Sequence, residues 1–258
     1  MPLYRDEALT LRRFDLGESS VIVSFFSRGR GRMRAVAKGA KKLKSVFAGR
    51  LEPFNSVELV YYGKENSSLY RLRSVDILSA RSSIAENLEK FSRACYVAEL
   101  LEAGFKEHDP NRAAFETAAA AFNMIASESN RQKLDLIVRF FDLKFLAHIG
   151  YRPTLDRCVS CRGPLPEKQP RAFDAAKGGM ICPGCRPKYS EAVTMSAGSA
   201  KFLARMAVTG FGRINRLRPS DTVLKELGGF LAAFRNSRLQ TRIKSERFLS
   251  EFLFDPKP

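Results

Sequence analysis

The chain has 258 residues, 45% of them hydrophobic, and carries a formal net charge of +17 with only two histidines. That length suits two or three modules better than one. No apolar run approaches the eighteen or so residues of a membrane span, and so strong a positive charge points to a polyanion, most simply nucleic acid. The charge is also segregated: residues 1–80 hold 15 Lys/Arg against 8 Asp/Glu, residues 81–150 hold 9 against 10, and residues 151–258 hold 20 against 9. The amino terminus, Met1-Pro2-Leu3-Tyr4-Arg5, lacks signal-peptide form, so a soluble, cytoplasmic protein with reduced thiols is expected.

From Ala8 to Asp76, short β-branched or aromatic runs alternate with Gly, Ser and Asn, which predicts five strands: Ala8–Arg12, Val21–Phe26, Arg32–Lys38, Ser56–Tyr62 and Leu69–Asp76. A longer connection after the third strand suits a small closed barrel of the OB type, which leaves no exposed sheet edges. Between Arg28 and Arg50 lie nine basic residues and no acid. Period two places Arg32, Arg34 and Lys38 on one face of the third strand and Met33, Ala35 and Ala37 on the other, toward the core. Arg28, Arg30, Arg32, Arg34, Lys38, Lys41, Lys42 and Lys44 are therefore the candidate DNA-binding residues, with Phe25, Tyr61 or Tyr62 as aromatic platforms for bases. The plainer reading is an edge strand guarded by lysines, but the run continues into the Gly39–Lys44 loop, where no edge needs guarding. The stretch Arg28-Gly-Arg-Gly-Arg-Met-Arg34 is no dinucleotide fingerprint, because Arg34 replaces the third glycine and no helix follows, and no phosphate-binding loop for ATP occurs anywhere.

The middle of the chain changes period. Helices are expected over Tyr96–Phe105 and Ala113–Ile125, broken at Asp109-Pro110, and along Leu134, Ile137, Val138, Phe141, Phe145 and Ile149. Gly150-Tyr-Arg-Pro153 closes the last of these and leads to Cys158-Val-Ser-Cys161 and, after twenty residues, Cys182-Pro-Gly-Cys185. Two such pairs on a foldable linker form a four-thiolate metal site. Four protein ligands leave no open position, so the metal, expected to be Zn²⁺, is structural; iron would accept the same spacing. Disulfides or redox thiols are the alternatives. The fifth cysteine, Cys95, lies in an apolar stretch and reads as a small buried hydrophobe. Helical spacing returns at Phe202, Leu203 and Met206, and again from Val223 to Phe234 after a Ser220-Asp221 cap, as if joining the central bundle around an inserted metal module. The tail from Arg235, with Arg238, Arg242, Lys244 and Arg247 beside Phe248, Leu249 and Phe252, reads as a basic amphipathic segment. His108 and His148 form no catalytic constellation with any neighbour in sequence, and no enzyme is expected.

Taken together, the stretches Leu9–Ser20, Phe25–Gly31, Ala37–Ser45 and Leu51-Glu-Pro-Phe54, with Gly150-Tyr-Arg-Pro153 and Phe173–Cys185 around the cysteine pairs, resemble the RecO family of bacterial recombination mediators. The likeness runs from about Leu9 to about Phe252. It implies an α+β protein with an amino-terminal five-stranded OB-fold barrel over residues 1–80, then a helical domain over 81–258 with the zinc module at about 154–190. It further implies binding of single- and double-stranded DNA, annealing of complementary strands and assistance in loading RecA onto strands coated by single-strand binding protein. RecR is the implied partner, the nucleoid the implied place, and no membrane is involved. A zinc-ribbon transcription or translation factor would share the charge and the cysteine pairs. A hydrolase or nuclease would need histidines or carboxylates around an open metal.

Overall fold

A computed structural model describes residues 1–249. Its amino-terminal strands are β1 (Leu3–Leu16), β2 (Ser20–Ser27), β3 (Gly31–Ala37), β4 (Ser56–Tyr62) and β5 (Tyr70–Ser79). They close into a barrel in the order β1-β2-β3-β5-β4, and β4 returns to β1. All pairs are antiparallel except β3 with β5, which meet at Ala35↔Tyr70 and Val36↔Arg71. The expected strands are all present, but β1 is far longer than Ala8–Arg12. It pairs with β4 from Leu3 to Leu9 and with β2 from Ala8 to Leu16, and its register shifts between Thr10 and Arg12. That bulge bends one strand enough to serve both neighbours and so closes the barrel. Val21, Val23, Phe25, Met33, Ala35, Ala37, Leu59 and Tyr61 fill the interior at period two, and Phe47 and Leu51 from the 38–55 connection are buried with them.

Three helices pack with the barrel: α1 (Ser82–Ala85), α2 (Leu88–Gly104) and α3 (Arg112–Ser127). Phe26, on the outer face of β2, meets Phe105 at 5.0 Å between ring centroids, and Phe54 meets Phe122 at 5.4 Å. Arg81 is the joint. Its guanidinium reaches the Phe54 carbonyl, Ser56 Oγ at 3.0 Å and Asn123 Oδ1 at 2.8 Å, and burial lowers its pKa to about 10. Gly31 adopts φ +67°, and a Cβ there would lie 2.2 Å from the Asp109 carbonyl oxygen, so only glycine admits the segment after α2 this close to β3.

The chain forms two compact units, residues 1–127 with 243–249, and Glu128–Arg242. The first includes α7 (Lys244–Phe248) against α2. The second holds α4 (Arg131–His148), a three-stranded sheet of order β7-β6-β8 (Gly179–Ile181, Arg171–Asp174, Val193–Met195), α5 (Ala197–Val208) and α6 (Asp221–Asn236). Helices α4, α5 and α6 pack together, and Phe173 of β6 stacks edge-on against Phe230 of α6 at 4.3 Å. The helices after the metal module thus join α4, while α1 to α3 belong with the barrel, so the expected single bundle is divided between the units. Side chains cap the helices where the sequence placed polar residues: Asn130 accepts from Lys133 N, Ser196 from Ser199 N and Ser220 from Val223 N. Arg235, the expected start of a basic amphipathic tail, is fully buried on α6, its Nη1 3.0 Å from Asp142 of α4. Phe252 lies outside the described residues. Among the described residues no helix is long and apolar enough to cross a membrane.

Candidate metal centre and nucleic-acid interface

The sulfurs of Cys158, Cys161, Cys182 and Cys185 all lie within 4.8 Å of one another. Each pair sits on a tight turn: Arg162 N donates to the Cys158 carbonyl at 2.9 Å, and Cys185 N to that of Cys182 at 3.0 Å. Val159 N bonds the Met180 carbonyl at 2.9 Å and ties the first turn to β7, so the sheet brings the pairs together. A tetrahedral thiolate shell with metal–sulfur bonds of about 2.3 Å has edges of about 3.8 Å; Cys161 and Cys182 are 3.7 Å apart. The donor set therefore fits one metal ion. Burial disfavours a thiolate at Cys158, but the N–H groups of Cys161, Cys182 and Ser160 outweigh it and bring the thiol down to about 6. At Cys182 the Cys185 N–H favours the thiolate, yet burial and the three neighbouring sulfurs prevail and push the thiol up to about 11. Four sulfurs this close do not all ionise unaided; a divalent cation makes that possible.

The basic run divides into two kinds of residue. Met33, Ala35 and Ala37 point inward and Arg32, Arg34 and Lys38 outward, as period two requires. The arginines, however, are engaged. Arg28 pairs with Glu7 at 2.9 Å and Glu116 at 3.0 Å and lies over the Phe115 ring. Arg32 donates to the Glu102 carbonyl at 2.6 Å, and Arg34 pairs with Glu107 at 3.2 Å. Arg30 stacks over Tyr4, its carbon 4.1 Å from the ring centroid. Lys41 reaches Asp15 at 2.9 Å. Lys38, Lys42 and Lys44 are exposed and make no ion pair among the described residues. Beside them on the same connection Leu43 is 97% exposed and Val46 64%. The outer face of β2 and β3 is thus covered at Phe26, partly covered at Arg32 and ion-paired but exposed at Arg34, and the connection after β3 is its open continuation.

Two of the three aromatics expected to stack on bases cannot do so: Phe25 and Tyr61 are wholly buried in the barrel core. The same alternation that places Met33 inward does this, since Phe25 is the register partner of Met33. Tyr62 is half-buried. Exposed Phe14 and Leu16 at the β1–β2 turn were not singled out by the sequence, and lie where Lys41 N bonds the Ser19 carbonyl. His108 packs edge-on against Tyr70. His148 is held below the ordinary histidine value by burial, then by Lys144 and Arg152. Burial pushes the Cys95 thiol up to about 11, which suits a packed rather than a nucleophilic cysteine.

A closed five-stranded barrel, a basic connection on it and a four-cysteine cluster in a helical unit define an OB-fold protein whose clustered thiols could hold a metal ion. The model of the family described as recombination protein O, N terminal, matches residues 1–81, and its C-terminal counterpart matches residues 85–247. The chain belongs to the RecO family of DNA repair proteins. It is similar to the DNA repair protein RecO of Anaeromyxobacter sp. (strain Fw109-5), 33% identical over 245 residues and 94% of each chain. The RecO of Myxococcus xanthus is 32% identical over 256 residues, 99% of this chain and 100% of that one. The RecO of Syntrophus aciditrophicus is 28% identical over 250 residues, 96% and 95% of the two.

Proposed function

We propose that the protein is a recombination mediator that binds single- and double-stranded DNA, anneals complementary strands and assists the loading of RecA onto strands coated by single-strand binding protein, with RecR as partner. It works in the cytoplasm, at the nucleoid, and makes and breaks no covalent bonds. The carrying observation is the connection after β3, where Lys38, Lys42 and Lys44 stand exposed without carboxylate partners among the described residues. Phosphates approaching there replace condensed counterions and displace no internal salt bridge. Arg30, Arg34 and Lys41 border this path, and Arg28 and Arg32 hold its base to α2 and α3. Contact is to backbone, so binding is nearly independent of sequence. The metal is Zn²⁺, the commonest occupant of a closed Cys₄ site, and it stabilises the module without touching DNA. The functional division places the DNA-binding barrel at 1–80 and the helical part at 81–258, with the module at about 154–190.

Annealing of complementary oligonucleotides precoated with single-strand binding protein tests this. The protein should accelerate annealing without any nucleotide, since the sequence has no phosphate-binding loop. No acceleration, or an absolute requirement for ATP, would overturn the proposal.

A further inference from the structure

From Ala192 to Ser220 the chain has no aspartate or glutamate but five cations: Lys201, Arg205, Arg213, Arg216 and Arg218. All five are exposed. Lys201 and Arg205 are four apart on α5, on the face opposite its buried Leu203 and Met206, and they share that face with Val208, which is 86% exposed. The 3-10 segment Phe211–Arg216 follows at once. With three residues per turn it sets Arg213 and Arg216 on one side and sends Ile214 inward, while Leu217 just beyond is buried too. Among the described residues the side chains of Lys201, Arg205, Arg213 and Arg216 make no ion pair or hydrogen bond, and Arg218 bonds only the carbonyls of Asn215 and Leu217. Two carboxylates just beyond this stretch in sequence are committed elsewhere. Glu226 accepts from Ser196 N at 2.8 Å at the far end of α5, and Asp221 accepts from Gln132.

We infer that this acid-free stretch of the second unit, carrying Lys201, Arg205, Arg213 and Arg216 with Arg218 at its end, is a second binding surface for the phosphate backbone of single-stranded nucleic acid. Comparison within the protein sharpens the assignment. The arginines around β3 are neutralised by Glu7, Glu107 and Glu116, and Arg238 of the tail is spent on the carbonyls of Ala175 and Ala176 and lies over Tyr151. Cations already satisfied inside the protein release few counterions on meeting phosphate; Lys201, Arg205, Arg213 and Arg216, unlike the carbonyl-bonded Arg218, release nearly their full share. A chain with one surface on the barrel and another here holds two strands at once, which strand pairing demands; in that purpose the inference rests on the proposed function.

The test uses the full-length protein and two non-complementary oligo-dT strands, one carrying a donor fluorophore and one an acceptor. Wild-type protein should co-capture them and give energy transfer. The triple variant Arg205→Gln, Arg213→Gln, Arg216→Gln should keep binding one strand but lose co-capture severalfold, and the salt slope of second-strand binding should fall by about 2, at about 0.7 per lost contact. The matched triple Arg205→Lys, Arg213→Lys, Arg216→Lys keeps the charge and should keep co-capture. No co-capture by wild type, undiminished co-capture by the glutamine triple, or equal loss in the lysine triple each overturns the surface. Failure of the wild-type protein to anneal would remove the proposed function, and co-capture would still decide this inference on its own.

Discussion

Glu99, on α2, accepts from Lys244 N and Ser245 N, both at 2.9 Å, and from the Ser245 hydroxyl at 2.5 Å. One carboxylate thereby satisfies the first free N–H groups of α7 and clasps the returning chain to the first unit. Burial pushes the Glu99 carboxyl up, but the Ser245 hydroxyl and the two N–H groups, with Arg12 nearby, outweigh it and hold it below the ordinary value. That ordinary value is about 4.3. A carboxylate whose pKa is depressed on folding contributes stability above its unfolded value and loses it as pH falls through the folded one, so the clasp is complete at neutral pH and opens only in acid. Glu99→Gln should therefore speed amide exchange at Lys244 and Ser245 at pH 7 while α2 keeps its protection; unchanged exchange would show that apolar packing of Ile243 and Leu249 suffices. The Asp142–Arg235 pair is of another kind. With both partners fully buried, removing one takes a counter-charge from a buried ion, at a cost of about 3–5 kcal/mol, whereas an exposed pair such as Arg5–Glu58 is worth about 0–1 kcal/mol.

The elements differ in how far sequence alone discloses them, and the difference follows from the range of the forces that set them. The clustering of the four cysteines is legible because each Cys-x-x-Cys turn is local and its chemistry tolerates few other readings. Strands β2 to β5 were legible from alternation. Strand β1 was read short because its first residues, with Arg5, Asp6 and Glu7 in succession, hide the pairing with β4 that extends it to Leu3. The partners of Arg28 and Arg34 were illegible: Glu116 and Glu107 stand far along the chain and are brought near only by helix packing. Phe25 and Tyr61 were a different matter. The alternation that orients β3 holds equally for β2 and β4, so the signal for their burial is present in the sequence. At this scale the proposed metal supplies a clear expectation. Removing it by chelation, or replacing any one of the four cysteines by serine, deletes the force that joins the two turns. Limited proteolysis should then cut between Thr154 and Met195 while the barrel, in the other unit, keeps its near-ultraviolet tyrosine signal. Purified protein with neither stoichiometric zinc nor iron, or a module resistant to protease without metal, would count against a structural ion.

For the molecule as a whole, a net charge of +17 is less informative than where that charge is free. Several arginines of the first unit spend their charge on Glu7, Glu102, Glu107 and Glu116, building the seam between barrel and helices. Among the described residues Lys38, Lys42 and Lys44 spend none of theirs in this way. Two triple variants with the same formal charge loss should therefore behave differently. Changing Lys38, Lys42 and Lys44 to alanine should weaken binding similarly across oligonucleotide sequences and flatten the dependence of log affinity on log salt by about 2, three contacts at about 0.7 each on single strands. Melting should scarcely move, because the lysines are exposed. Changing Arg28, Arg32 and Arg34 to alanine should instead lower the melting temperature, since it leaves carboxylates at the seam without partners, and should alter the salt slope less, since those cations release few counterions. Fluorescence anisotropy over a salt series, beside thermal melts, reads both quantities on each variant. An arginine triple that flattens the slope more than the lysine triple would mean that DNA displaces the seam's ion pairs, and would move the binding path from the connection onto the face of β3.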